Sequence, residues 1–91
     1  LDPAETSARV NLAAVSLQAG DVQTVLEQTS TVLQLAPDHA MSWALRAAAL
    51  ASTGQREAAH EAALRALRLA PGNDLARRVL ADDVPTAAAG R

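Results

Sequence analysis

Leu33-Gln34-Leu35-Ala36-Pro37 and Leu67-Arg68-Leu69-Ala70-Pro71 are one Leu-x-Leu-Ala-Pro pattern written twice, 34 residues apart. Leu1-Asp2-Pro3 stands a further 34 residues upstream in the same phase, and Gly20 and Gly54 keep that spacing midway through each interval. A fixed period of this size is the sequence signature of a stacked repeat array, in which each unit buries its apolar flank against its neighbours. Aligned without a gap, residues 3–36 and 37–70 share Pro3/Pro37, Ala13/Ala47, Ala14/Ala48, Gly20/Gly54, Glu27/Glu61, Leu33/Leu67, Leu35/Leu69 and Ala36/Ala70. The proline and glycine matches weigh most, because each type occurs only 4 times in 91 residues. A third unit opens at Pro71, sets Leu80 and Ala81 in register with Leu12 and Ala13, and is cut short by Pro85.

Working outward from the pentads, helix signals fill each interval. Asp2-Pro3-Ala4-Glu5 supplies an N-cap, a first-turn proline and a carboxylate three residues after the cap. A first helix is expected to about Ala19, where Gly20 can take the left-handed conformation of a helix end. Asp21 then caps a second helix whose Val22, Val25, Leu26, Thr29, Val32 and Leu33 recur at three- and four-residue steps. In the second unit Asp38 is the expected cap. Helix three covers about 39–53, Gly54 breaks it, and helix four covers about 55–69. Asn73 caps a closing helix over 74–83, and residues 84–91 read as a flexible tail. Short turns force neighbouring helices antiparallel. The expected architecture is therefore all-α, about five helices in antiparallel hairpins, over residues 1–83.

Composition narrows the function classes. The 91 residues allow one small domain with a thin core, since much of the apolar content is alanine and the single aromatic residue is Trp43. Such a core trades buried area for close helix approach. All eight basic residues are arginines, the net charge is −2, and no basic face of the kind nucleic acid requires is visible. No apolar run is long enough to span a bilayer, and no signal peptide is present, which leans the compartment toward the cytoplasm. The Leu1-Asp2-Pro3 start reads as the end of a preceding unit, so a piece of a longer protein is expected. With no cysteine, thiol chemistry and disulfides are excluded.

Taken together, these residues resemble the tetratricopeptide repeat family, whose pattern combines a first-helix Trp, small residues at the helix crossing, a turn glycine, a second-helix alanine series and a closing proline. Trp43, Ala47, Gly54, Ala59, Ala66 and Pro71 carry the resemblance in the second unit, and Leu12, Ala13, Gly20, Val32 and Pro37 in the first. The aromatic places of the family are held by Ser16, Leu50, Thr29 and Ala63, and Arg46 replaces its expected leucine. The resemblance implies a right-handed superhelix, an α-solenoid whose first helices line a concave groove for peptides or partner helices.

Mapped onto this sequence, the implied groove comprises Val10, Asn11, Ala14 and Leu17 from unit one, Met41, Ala44 and Ala48 from unit two, and Leu75 and Arg78 from the closing helix. Ser7, Gln18, Leu45, Ala51, Ser52, Val79 and Asp82 complete it. Only Asn11 and Arg78 resemble the polar clamp with which some family members hold an acidic C-terminus, so an apolar helix or segment is the expected partner, with Val10, Leu17, Met41 and Leu75 as its contact patch.

No residue pattern points to catalysis, a cofactor or a metal. His39 and His60 are 21 residues apart with no third ligand at a recognisable spacing. Asp82-Asp83 reads as a solvated helix end, and the four glycines are isolated, so no phosphate loop exists. Arg65, Arg68, Arg77 and Arg78 read as a solvated face, and Trp43 as a packing residue between helices. Three functional readings follow: a scaffold that binds a protein through the groove, a self-associating homodimer, and a regulatory appendage of an enzyme elsewhere in a longer chain.

Overall fold

The computed structural model describes the backbone of residues 2–89 and the side chains of residues 2–81. Its elements are α1 (Pro3–Ala19), α2 (Val22–Leu35), α3 (Ala40–Ser52), α4 (Arg56–Leu69) and α5 (Asp74–Ala89), and no strand occurs among the described residues.

The 34-residue period is written into the backbone hydrogen bonds. At the end of α1, Gly20 N–H donates to Leu17 O at 3.1 Å and Asp21 N–H to Ser16 O at 2.8 Å. At the end of α3, Gly54 N–H donates to Ala51 O at 3.1 Å and Gln55 N–H to Leu50 O at 3.0 Å. This paired pattern is the Schellman motif, and it needs a residue with positive φ. Gly20 and Gly54 both adopt φ 81° and are the positive-φ residues of the described chain. The ends of α2 and α4 repeat as well: Ala36 N–H donates to Val32 O at 2.7 Å, and Ala70 N–H to Ala66 O at 2.8 Å.

A Cβ added at Gly54 would meet nothing within 4 Å, so substitution there tests backbone strain alone. Gly54→Val is expected to lower stability by about 1 kcal/mol or more, and Gly54→Asn by less, because asparagine tolerates the left-handed region. Equal thermal midpoints for the two variants and the parent protein would place the bend elsewhere.

The starts of α1, α2, α3 and α5 are capped locally, whereas α4, which follows Gln55, has no side-chain cap. Asp2 accepts from Glu5 N–H at 2.9 Å, and Asp21 from Thr24 N–H at 3.2 Å and Thr24 Oγ1–H at 2.7 Å. The α3 cap differs from the expected Asp38: His39 Nδ1 accepts from Ser42 N–H at 3.2 Å, with Ser42 Oγ at 2.9 Å. The imidazole can do this because it stands one residue closer to the helix, three before Ser42. Asn73 occupies the same place one period later and accepts from Ala76 N–H at 2.9 Å. The α5 backbone continues beyond the expected end at Asp83, through Pro85 to Ala89. A proline removes one intrahelical bond, whereas the alanines at 87–89 have the highest helix propensity. The tail expected over 84–91 otherwise lies outside the residues whose side chains are described.

The Thr24 hydroxyl and then its backbone N–H, both donating to Asp21, hold this carboxyl below its ordinary value of 3.8. Asp21 is exposed, so solvent screens the effect. A depressed folded-state value means the cap is in force above pH 3.8 and is lost as pH falls through the lower folded value. Asp21→Ala is expected to lower the thermal midpoint at pH 7, and the difference from the parent protein is expected to close in strong acid. A pH-independent difference would assign the effect to something other than this carboxylate.

The hairpins α1–α2 and α3–α4 pack internally and against each other, and α5 closes the far side on α3 and α4. The first helices also meet directly, α1 with α3 and α3 with α5, whereas α2 and α4 make no approach. The radius of gyration, 12.7 Å, is close to the roughly 12 Å of a compact chain of this length, and the extents of 47 × 26 × 17 Å describe a slab about two helices deep. Alanine supplies nine of the thirteen buried apolar residues among those described. One cluster joins Ala44 and Ala47 of α3, Ala59, Ala62, Ala63 and Ala66 of α4, and Ala76 and Val79 of α5. A second joins Ala13, Val25, Leu45 and Ala49 across α1, α2 and α3.

Candidate functional site

The contacts that join the hairpins decide which candidate groove residues are exposed. Val10, Ala14 and Leu17 come together on α1, but each is partly buried against the cluster around Leu45 and Ala49. Leu75 packs against both clusters and links the inner faces of α3 and α5. Ala48 is likewise half-buried on α3. Met41 is the exposed apolar member of the expected contact patch, at 42% of its surface.

Other candidates fall elsewhere. Ala44 is fully buried in the α3–α4–α5 cluster, so it cannot line an open groove. Leu45 and Val79 are also buried, because the same helix faces that look toward a groove in projection turn against the preceding hairpin. Asn11 is exposed and holds on α1 the place that Leu45 holds on α3, which sets it on the outer side of α1. Arg78 is exposed on α5, where it lines a shallow surface depression with Asp74, Arg77 and Ala81. Asp82 lies outside the described side chains.

The opposite face carries features that the sequence did not single out as a site. A cavity of about 270 Å³ opens between α3 and α4. Trp43, Arg46 and Leu50 of α3 line it, together with Ala58, Glu61, Ala62 and Arg65 of α4. The Arg65 guanidinium sits 4.8 Å from the centre of the Trp43 ring, a cation–π contact, and Trp43 Nε1–H donates to Pro37 O at 2.8 Å. Trp43 is thus a packing residue, pinned at both ends.

Arg46 is the principal residue that sequence reasoning passed over. Its Nη1 donates to Leu26 O at 3.2 Å, Thr29 Oγ1 at 3.3 Å and Ser30 Oγ at 2.9 Å, tying α3 to α2 across the hairpin junction. A lone charge within the alanine-rich run of α3 was the available signal. On α1, Arg9 plays a related part by donating from Nη1 to Gln28 Oε1 at 2.9 Å, while its Nε is buried without a partner.

Among the described residues no three His, Cys, Asp or Glu side chains gather as a metal would require, and no helix is long and apolar enough to cross a membrane. The class defined here is an all-α stack of two helical hairpins and a fifth helix, with a mostly small and apolar face along α1, α3 and α5. Comparison with models of known families, with curated proteins and with solved structures finds no match.

Proposed function

We propose that this chain is a tetratricopeptide-like α-solenoid, a right-handed superhelix of antiparallel hairpins, that serves as a protein–protein interaction module. The observation that carries this reading is the asymmetry of the helix contacts: α1 meets α3 and α3 meets α5, while α2 and α4 stay apart. Helices drawn together on one side and parted on the other curve a stack, with the first helices lining its concave face.

That face offers Met41 as an exposed, adaptable anchor, and Val10, Ala14, Leu17, Ala48 and Leu75 as a half-buried apolar floor. It suits the apolar side of a helix whose anchors repeat at i, i+4 and i+7. The test is a fluorescence-polarisation titration with a labelled synthetic amphipathic helix carrying leucines at those positions. Saturable binding is expected, weakened about tenfold or more by Met41→Glu and by Leu17→Glu, a loss of roughly 1.4 kcal/mol. Met41 is exposed, so its variant keeps the fold while removing the anchor. Affinity unchanged by both substitutions would remove the groove from the proposal.

A further inference from the structure

The first helices of the three frames, α1, α3 and α5, can be compared place by place. On α3 the face turned to the preceding hairpin is carried by Ser42, Leu45 and Ala49, which are 0%, 3% and 0% exposed. One frame later, Ala76 and Val79 take the places of Ser42 and Leu45 and are buried against α3–α4. One frame earlier, the same places on α1 are Ala8, Asn11 and Val15, and all three are exposed. Leu12, at the place from which Arg46 reaches the preceding α2, is exposed as well. Leu12 shows 47% and Val15 64% of its surface, three residues apart on one side of the helix. The face is thus covered twice within the molecule, each time by a helical hairpin, and bare at its third occurrence.

We infer that the outer face of α1 is a docking surface for a further helical hairpin of the α1–α2 build, which stacks on α1 as α1–α2 stacks on α3. The interface is continuous with the two already formed, α1–α2 on α3 and α3–α4 on α5, and it repeats their register. The second helix of the occupant lies over Leu12, where an apolar side chain replaces the guanidinium of Arg46. The surface is distinct from the concave groove, because Val10, Ala14 and Leu17 are packed toward the opposite, α3 side.

The direct test adds the occupant. A duplicate of residues 3–36 is joined ahead of Pro3, just as Ala36 is joined to Pro37, and the extended chain is compared with the 91-residue chain. The extended chain is expected to unfold in one transition with a midpoint about 5 °C or more higher. Its α1 amides are expected to exchange more slowly. Leu12→Glu with Val15→Glu is expected to leave the midpoint of the 91-residue chain within about 2 °C, since both residues are exposed there. The same pair is expected to lower the midpoint of the extended chain by about 5 °C or more. Two separate transitions with unchanged α1 exchange, or equal effects of the double substitution in both chains, would overturn the inference. So would sedimentation of the 91-residue chain as a dimer that the double substitution splits, because the occupant would then be a second copy.

Discussion

Leu45→Ala is expected to destabilise the protein by about 2–5 kcal/mol, read as a lower urea midpoint at unchanged m-value. Leu45 is the one buried leucine among the described residues, and it joins α3 to the first hairpin through Ala13 and Val25, with Ala49 beside it on α3. Truncating it removes the transfer free energy of its side chain and leaves a cavity. Its fully buried neighbours, two alanines and a valine, are too short to reach across that cavity, while Leu17, Leu26 and Leu75 pack only at the edge of the cluster. Leu12→Ala is the control: Leu12 is exposed, and its truncation is expected within about 0.5 kcal/mol of the parent protein. Equal effects of the two substitutions would mean that α3 does not seat on α1–α2 through Leu45.

Ala47→Leu fails in the opposite direction. Ala47 is fully buried where α3 crosses α4, in a cluster whose α4 members, Ala59, Ala62, Ala63 and Ala66, are all alanines. Adding three carbons there forces the helices apart, and the expected cost is about 1–3 kcal/mol. Alanine has no side-chain rotamers, so none of these neighbours can turn aside. The strain must be relieved by moving backbone, which also loosens Trp43 and Leu50 at the edge of the same cluster. Thermal unfolding reads the effect directly, and hydrogen exchange is expected to accelerate first in α3 and α4. Parent-level stability in Ala47→Leu would mean that the α3–α4 crossing lies elsewhere.

These two substitutions mark the two ways in which an alanine-rich core is vulnerable. It contains few large side chains, so each one lost is a large share of the apolar burial. It brings backbones close, so added volume has nowhere to go. A chain of this size buries a modest fraction of its surface, and either change is large beside the stability expected of it.

The helix ends and the hairpin plan were legible in the sequence because they are governed by neighbours three to five residues apart. Gly20 and Gly54 permit the left-handed turn, Asp2, Asp21 and Asn73 carry acceptors three residues before the N–H groups they satisfy, and the Leu-Ala-Pro joins recur in phase. Even here a small local competition decided one cap, with His39 taking the role expected of Asp38. The division of α1, α3 and α5 into covered and bare faces was not legible. Val10 and Asn11 are adjacent, yet one packs toward α3 and the other lies on the outer side of α1. Ala44 matches the groove pattern and is nevertheless sealed beneath α4 and α5.

By itself, then, the amino-acid sequence determined the period, the all-helical elements, their caps and the sites of their turns, because those depend on local hydrogen bonding and backbone propensity. Only the tertiary structure decided that Arg46 bridges to α2, that Met41 stands exposed, and that Leu12 and Val15 keep bare a face buried twice elsewhere. The reason is physical: exposure depends on which helices lie against a residue, and a 34-residue repeat writes the same face into every unit whether or not a neighbour is there to cover it.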